Sequence, residues 1–240
     1  MTDRYQNEIE HGKFLAAHDP VALWGWETAA GKLRSKRRAS LIIQKAGLSK
    51  ISRVMEIGCG TGMFTAIFAG TGASIIAVDI SKDLLEIARE KNLPDVSFLE
   101  KPFENCQAEG PFDAIIGSSV LHHLNVDIAF PKILNLLKPG GILCFAEPNM
   151  LNPQVFAERK FRRFFSYVSP DETAFSRFTL SEKLKYCGYV NIKITPFDWV
   201  HPSTPESLLP IIKAVNGILE FMPLVREFAG SLLIKAEKPY

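Results

Sequence analysis

Apolar residues along this chain recur at two spacings, and the spacings alternate. Short β-branched or apolar runs mark buried strands at Arg53–Ile57, Ser74–Asp79, Val96–Leu99, Phe112–Gly117 and Ile142–Ala146. Between them lie stretches whose apolar positions return every three or four residues, predicting helices over Met63–Ala69, Lys82–Lys91 and Val126–Leu137. Lys138-Pro139-Gly140-Gly141 is expected to stop the last of these and turn into the fifth strand. Such alternation requires a parallel sheet with right-handed crossovers and helices on both faces. The fold class is therefore α/β, doubly wound and Rossmann-like.

The ends follow other patterns. Residues 1–50 are polar, then amphipathic. Trp24-Gly25-Trp26 precedes a helix over Ala29–Ala46, with Leu33, Ala39, Ile42, Ile43 and Ala46 on one face and Gly47 as its terminator. After Glu147 the rhythm breaks. Pro148–Arg177 is rich in aromatics and arginines without clean periodicity. A helix at Leu180–Tyr186, a strand at Asn191–Thr195 and a final strand at Ser231–Ala236 close the sheet. Between those two strands lies an insertion, Pro196–Gly230, with five prolines and an apolar helical stretch, Leu208–Phe221.

The chemistry concentrates at the first strand's end. Glu56-Ile57-Gly58-Cys59-Gly60-Thr61-Gly62 places glycines at alternate positions between a strand and a helix. Glycine permits the tight turn and leaves no Cβ between main chain and ligand. A dinucleotide site reads G-x-G-x-x-G, with its last glycine one place later for a pyrophosphate. The tighter spacing here suits a ligand without phosphate in the loop. The second strand ends in Asp79, 79−58 = 21 positions after the first glycine. That offset suits a carboxylate accepting hydrogen bonds from ribose hydroxyls. The plainer reading of Asp79 is a cap for the following helix, a job for which Ser81 competes.

Five blocks in order resemble class I S-adenosylmethionine-dependent methyltransferases of the small-molecule type, similar to those of the ubiquinone and menaquinone pathways. They are Glu56–Gly62, Val78-Asp79, Phe112–Ile116, Val120-Leu121-His122-His123-Leu124 and Leu137–Gly141. The likeness covers roughly residues 35–150 well and the remainder loosely. It implies a seven-stranded sheet with an antiparallel last strand and S-adenosylmethionine as cofactor, with S-adenosylhomocysteine as product. It also implies one domain over residues 1–240. Within it lie a helical cap at 1–50, a cofactor-binding core at 51–147, substrate insertions at 148–178 and 196–230, and closing strands at 179–195 and 231–237.

The resemblance assigns cofactor contacts to Gly58, Cys59, Gly60, Thr61, Gly62, Asp79 and Ile80. It gives Glu56 the task of tying down the glycine loop and reaching the methionine ammonium. It places Arg38 on the methionine carboxylate, Trp26 over the methionine end, and the Ser118 and Val120 backbone along the cofactor. Many relatives carry an aspartate for the adenine amino group where this chain has Pro102. Phe103, packing on the base, and Glu104, replacing the carboxylate, are the expected substitutes. His123 is a candidate general base, since imidazole titrates near neutral pH. Glu147, expected to point toward the acceptor, competes with it. The plainer reading of the histidine pair is a family feature without catalytic duty.

Composition narrows the partners. The net charge is +2 over 240 residues, which argues against a long nucleic acid, and the basic cluster Lys32–Arg38 reads first as a solvated helix face. Four scattered cysteines without a C-x-x-C pattern fit reduced thiols. No acids group at the fourth strand's end, so no metal is expected. The N-terminus lacks the apolar core of a signal peptide, and a cytoplasmic location is expected. The aromatics of the first insertion (Phe156, Phe161, Phe164, Phe165, Tyr167, Phe175, Phe178) and the apolar run of the second suit a small apolar or aromatic acceptor. They also suit weak association with a membrane or a hydrophobic carrier. Nothing in the pattern specifies an oligomer. Two rivals stay open: an NAD-dependent oxidoreductase, disfavoured by the glycine spacing, and a non-catalytic S-adenosylmethionine-binding subunit.

Overall fold

The computed structural model describes residues 2–164 and 174–240; Phe165 and Tyr167 of the expected aromatic cover lie outside them. The chain opens with α1 (Thr2–Ala17), α2 (Pro20–Leu23) and α3 (Ala29–Ala46). The core follows as β1 (Arg53–Ile57), α4 (Met63–Ala69), β2 (Ser74–Asp79), α5 (Lys82–Arg89), β3 (Val96–Glu100) and β4 (Phe112–Ser118). Then come α6 (Val126–Leu136), β5 (Leu137–Pro148), α7 (Pro153–Lys160), α8 (Arg177–Tyr186), β6 (Val190–Phe197), α9 (Leu209–Phe221) and β7 (Ser231–Glu237).

The seven strands form one sheet in the order β3-β2-β1-β4-β5-β7-β6. β1 to β5 pair in parallel, while β7 runs antiparallel to both of its neighbours. The order reverses between β1 and β4, which is where an open α/β sheet leaves a crevice beyond its strand ends. Side chains from the two faces of the sheet make two cores. One gathers Met55, Ile115, Leu143 and Phe130 under α6 and α8, the other Val54, Ile75, Phe68 and Ile42 under α3 and α4. Each fully buried aromatic or aliphatic side chain contributes about 1.5–3 kcal/mol.

Local signals account for the element ends. Thr28 Oγ1 accepts from Gly31 N at 2.9 Å to start α3, and Gly47, at φ +67°, stops it. Ser81 caps α5 through Leu84 N, so the capping job that competed for Asp79 falls to Ser81. Two expectations need correcting. Lys138–Gly141 is not a turn ahead of the fifth strand. Leu137 already pairs with Phe112, and the register shifts between Phe112 and Ala114, so these residues bulge within β5. The first seventeen residues are also more ordered than their polarity suggests, because α1 packs on α5. A Cβ on Gly12 would fall 2.4 Å from Ser81 Oγ. Among the described residues, no helix is long and apolar enough to cross a membrane.

Candidate functional site

A cavity of about 720 Å³ opens over the β1/β4 switch point, within the range that holds small ligands. The loops after β1, β2, β3, β4 and β6 wall it, and α1, α3 and α7 complete the wall.

The glycine loop forms its floor. Gly58 sits at φ +68°, and a Cβ there would come within 2.2 Å of Val120 Cγ2, so the loops after β1 and β4 nest only over a glycine. At Gly60 (φ +50°) an added Cβ would find nothing nearer than the Trp24 ring at 3.6 Å. The space above that residue is therefore open to a ligand.

Asp79 holds this loop from the side. Its Oδ2 accepts from Gly60 N at 2.7 Å, and its Oδ1 accepts from Ser81 N at 2.9 Å. Burial raises its pKa, while the two N–H donors pull the other way. Each carboxylate oxygen keeps a second lone pair, which is what two ribose hydroxyls need.

The loop tie expected of Glu56 therefore belongs to Asp79. Glu56 lies two residues back inside β1, paired with Ala77 and Ile116, and its carboxylate is buried beneath the cavity rather than on its wall. Burial pushes that carboxyl up to about 8; the Thr65 hydroxyl opposes the shift and the Asp79 charge adds to it. Glu56 Oε2 has no hydrogen-bond partner. Gly62 is a second correction. At φ +72° it starts α4, and a Cβ there would press on Ala88 of α5 at 3.0 Å, so it serves helix packing and does not face the cavity. Cys59, Thr61 and Ile80 do line the cavity, and burial raises the Cys59 thiol well above its usual range.

Arg38 reaches the cavity from α3 and is buried. Its Nη1 donates to Ser119 Oγ at 2.8 Å and Ser118 Oγ at 3.3 Å, and its Nη2 donates to Ser231 Oγ at 2.5 Å. Arg38 thus braces α3 against β4 and β7, and its Nε has no partner. Burial lowers its pKa to about 10, which leaves it cationic at neutral pH. Trp26 lies 5.6 Å beneath the Arg38 guanidinium and edge-on to Phe64. Arg34, one turn earlier, is committed to Asp198 at 2.8 Å. Ser119 holds φ +56°, a left-handed conformation that costs a non-glycine residue roughly 1 kcal/mol or more.

Beyond β3, Phe103 both lines the cavity and buries its ring in the core, with Lys132 Nζ 5.4 Å away. Glu104 accepts from Asn125 N at 3.2 Å and from the Tyr5 hydroxyl.

The two proposed bases differ in placement. Glu147 does not point toward the cavity. Its Oε1 accepts from Val120 N at 2.9 Å and Leu121 N at 3.0 Å, and its Oε2 meets His122 Nδ1 at 2.6 Å. Burial raises the Glu147 carboxyl, yet the His122 interaction and the two N–H donors outweigh it, and the group stays below its ordinary value. His122 and His123 both line the cavity, with ring centroids 4.2 Å apart. His123 Nδ1 lies 3.0 Å from Glu8 Oε2 of α1, within ion-pair range but without hydrogen-bond alignment.

Periodicity did not point to two stretches of wall. Tyr5, Glu8, His11, Gly12 and Leu15 of α1 are one, and Asp198–Ser203 after β6 is the other. Gly12 inside a helix was the available signal for the first. For the second it was the polar and aromatic run Asp198-Trp199-Val200-His201 directly after a strand. Among the described residues, no group of three or more His, Cys, Asp or Glu side chains could hold a metal ion.

Residues 54–141 match the family described as Methyltransferase domain. The core of this chain is a class I methyltransferase domain. Within 112 residues the chain is 33% identical to a ubiquinone biosynthesis O-methyltransferase of Xanthomonas campestris pv. campestris (strain B100). That match covers 44% of this chain and 46% of the relative, so it spans about half of that protein's length. The N-methyltransferase NodS of Bradyrhizobium japonicum WM9, solved with S-adenosyl-L-homocysteine, superposes with a TM-score of 0.66 at 17% identity, over 98% of this chain and 100% of that one. The [4+2]-cyclase SpnF superposes with a TM-score of 0.59 at 22% identity, over 85% of this chain and 80% of that one. Likeness at these identities establishes the methyltransferase fold, and fold alone does not fix the reaction.

Proposed function

We propose that this chain transfers the methyl group of S-adenosylmethionine to a small acceptor, apolar or aromatic in its main body, and releases S-adenosylhomocysteine. The observation that carries the reading is the pairing of Asp79 with Gly60 N at the floor of a cavity set on the β1/β4 switch point. The residues present fit that cofactor. The space over Gly60 is open, Asp79 offers lone pairs to a ribose, and the buried cation Arg38 stands beside the loop for a carboxylate. Protonated Glu56 lies below, where a ligand ammonium would draw it into its charged form.

When bound, S-adenosylmethionine supplies a methyl group already activated by its sulfonium. The protein's part is then to orient the acceptor, exclude water and take a proton where the acceptor carries one. α1 covers the cavity, anchored by the Glu8–His123 pair and by Arg4, whose Nη2 donates to His122 O at 3.4 Å. Proton removal falls to the His122/His123 pair, with Glu147 acting as the positioning residue that holds His122. Phe103 and Glu104 frame the adenine end.

The test is transfer of a labelled methyl group from S-adenosylmethionine to a panel of phenols, amines and carboxylic acids. Labelled product from any of them supports the reading. Tight cofactor binding with no transfer to the whole panel would move the chain toward the non-methylating uses of the fold.

A further inference from the structure

α9 and the turn after it hold large apolar side chains in solvent. Ile211, Val215 and Ile218 recur at four- and three-residue intervals on its outer face. Phe221 and Leu224 extend the stripe, 90% and 83% exposed. The helix cannot roll over to bury them, because its inner face is pinned. Asn216 Oδ1 accepts from Trp199 N at 2.7 Å, and Glu220 takes Arg37 through two bonds, at 2.8 and 2.5 Å.

A second apolar group meets the same edge. The 3₁₀ turn Val225–Phe228 packs on α9 and is tied to the starts of α7 and α8. Asn152 Nδ2 donates to Phe228 O at 2.8 Å, and Arg177 Nε donates to Glu227 Oε2 at 2.6 Å. Exposed Phe156, Phe178 and Phe228 therefore border the same turn as Phe221 and Leu224.

The charges of this rim choose its occupant. Lys160 Nζ sits 5.7 Å from the Phe156 ring and 5.9 Å from Phe161; Arg163 sits 4.8 Å from Phe164 and Arg177 4.7 Å from Phe178. The neighbouring acids are engaged, Glu158 with Gln154 at 2.7 Å and Glu227 with Arg177. Lys213 is the charged residue on the outer face of α9. Exposed aromatics each carrying a cation suit a surface that is apolar below and anionic above. Two copies of this rim face to face would set cation against cation, which disfavours self-association.

We propose that this rim seats the protein on an anionic lipid bilayer. Phe221, Leu224 and Phe164 enter the acyl boundary, and Lys160, Arg163 and Arg177 meet the headgroups. Asn152, Gln154 and Val155 of the adjoining α7 segment line the cavity, so docking sets the acceptor end of the cavity beside the lipid. That last point rests on the methyl-transfer reading; the docking itself does not.

The test is co-sedimentation of the full chain with vesicles of phosphatidylcholine alone and of phosphatidylcholine mixed with phosphatidylglycerol, at low and high salt. Light scattering in solution reads the oligomeric state. Binding to the mixed vesicles is expected to exceed binding to the neutral ones by about tenfold and to fall at high salt. It should drop about fivefold or more in Phe221→Ser/Leu224→Ser and again in Lys160→Glu/Arg163→Glu. Titration with S-adenosylhomocysteine and a thermal melt are expected to stay unchanged in both, which separates this result from the fate of the methyl-transfer reading. Absence of binding to mixed vesicles overturns the proposal, as does binding indifferent to salt and to both variants. A dimer that Phe221→Ser dissociates assigns the face to a second copy and also overturns it.

Discussion

The floor of the cavity and its far wall are built by opposite means. The floor is backbone: glycines at positive φ, a loop nested on Val120, and one carboxylate gripping an amide. The far wall is side chains drawn from α1, α7 and the loop after β6, segments more than a hundred residues apart in the chain. A floor of this kind tolerates little change because its shape depends on absent atoms and fixed dihedrals. The wall depends on which side chains meet, so it can change its guest without changing the fold. A ubiquinone-pathway methyltransferase, NodS and a [4+2]-cyclase resembling one chain is the outcome such a division predicts.

Substitutions on the two sides should therefore differ in kind. Asp79→Ala should do most damage, removing the ribose acceptor and the Gly60 tie together. Two charge-assisted bonds at about 1.5–3 kcal/mol each predict a loss of roughly 100-fold or more in S-adenosylhomocysteine affinity by calorimetry. A thermal melt on Gly58→Ala should show a loss of about 2–4 kcal/mol, from the Val120 clash and the strained φ together.

Glu56→Gln probes the layer under the floor through pH. The folded carboxyl titrates near 8 and the unfolded one near 4.5, so between those values the native state binds more protons than the unfolded state. Wild-type stability without ligand should accordingly fall as pH rises from about 4.5 to about 8 and level off above, by an amount on the order of 1 kcal/mol or more. Glu56→Gln should flatten that stretch of the curve; an unchanged slope in denaturant melts would show that another group sets it. On the far wall, Ile211→Ser should shift stability by less than about 0.5 kcal/mol and leave donor affinity intact. A large loss there would break the contrast.

The same division explains what the residue pattern could reveal. Strand–glycine–helix alternation fixes the sheet and the switch point. Asp79 and the loop glycines were legible because a tight turn and a ribose each leave few residue choices. Glu56, Gly62 and Glu147 were named for the cavity yet serve behind it, because sequence spacing locates a residue along a strand but not the layer its side chain reaches. Glu147 sits at the tip of β5, where the main chain nears the cavity, while Val120 N, Leu121 N and His122 consume its carboxylate. α1 left almost no trace because its contacts with the cavity and α5 involve residues far along the chain. Only Gly12 marked the close approach.

The most direct test is a calorimetric titration of the wild-type chain with S-adenosylhomocysteine, with NAD in parallel. The account predicts one site of micromolar affinity for S-adenosylhomocysteine and no heat from NAD. Binding of NAD, or no binding of S-adenosylhomocysteine, would contradict the assignment of the glycine loop and Asp79 to this cofactor.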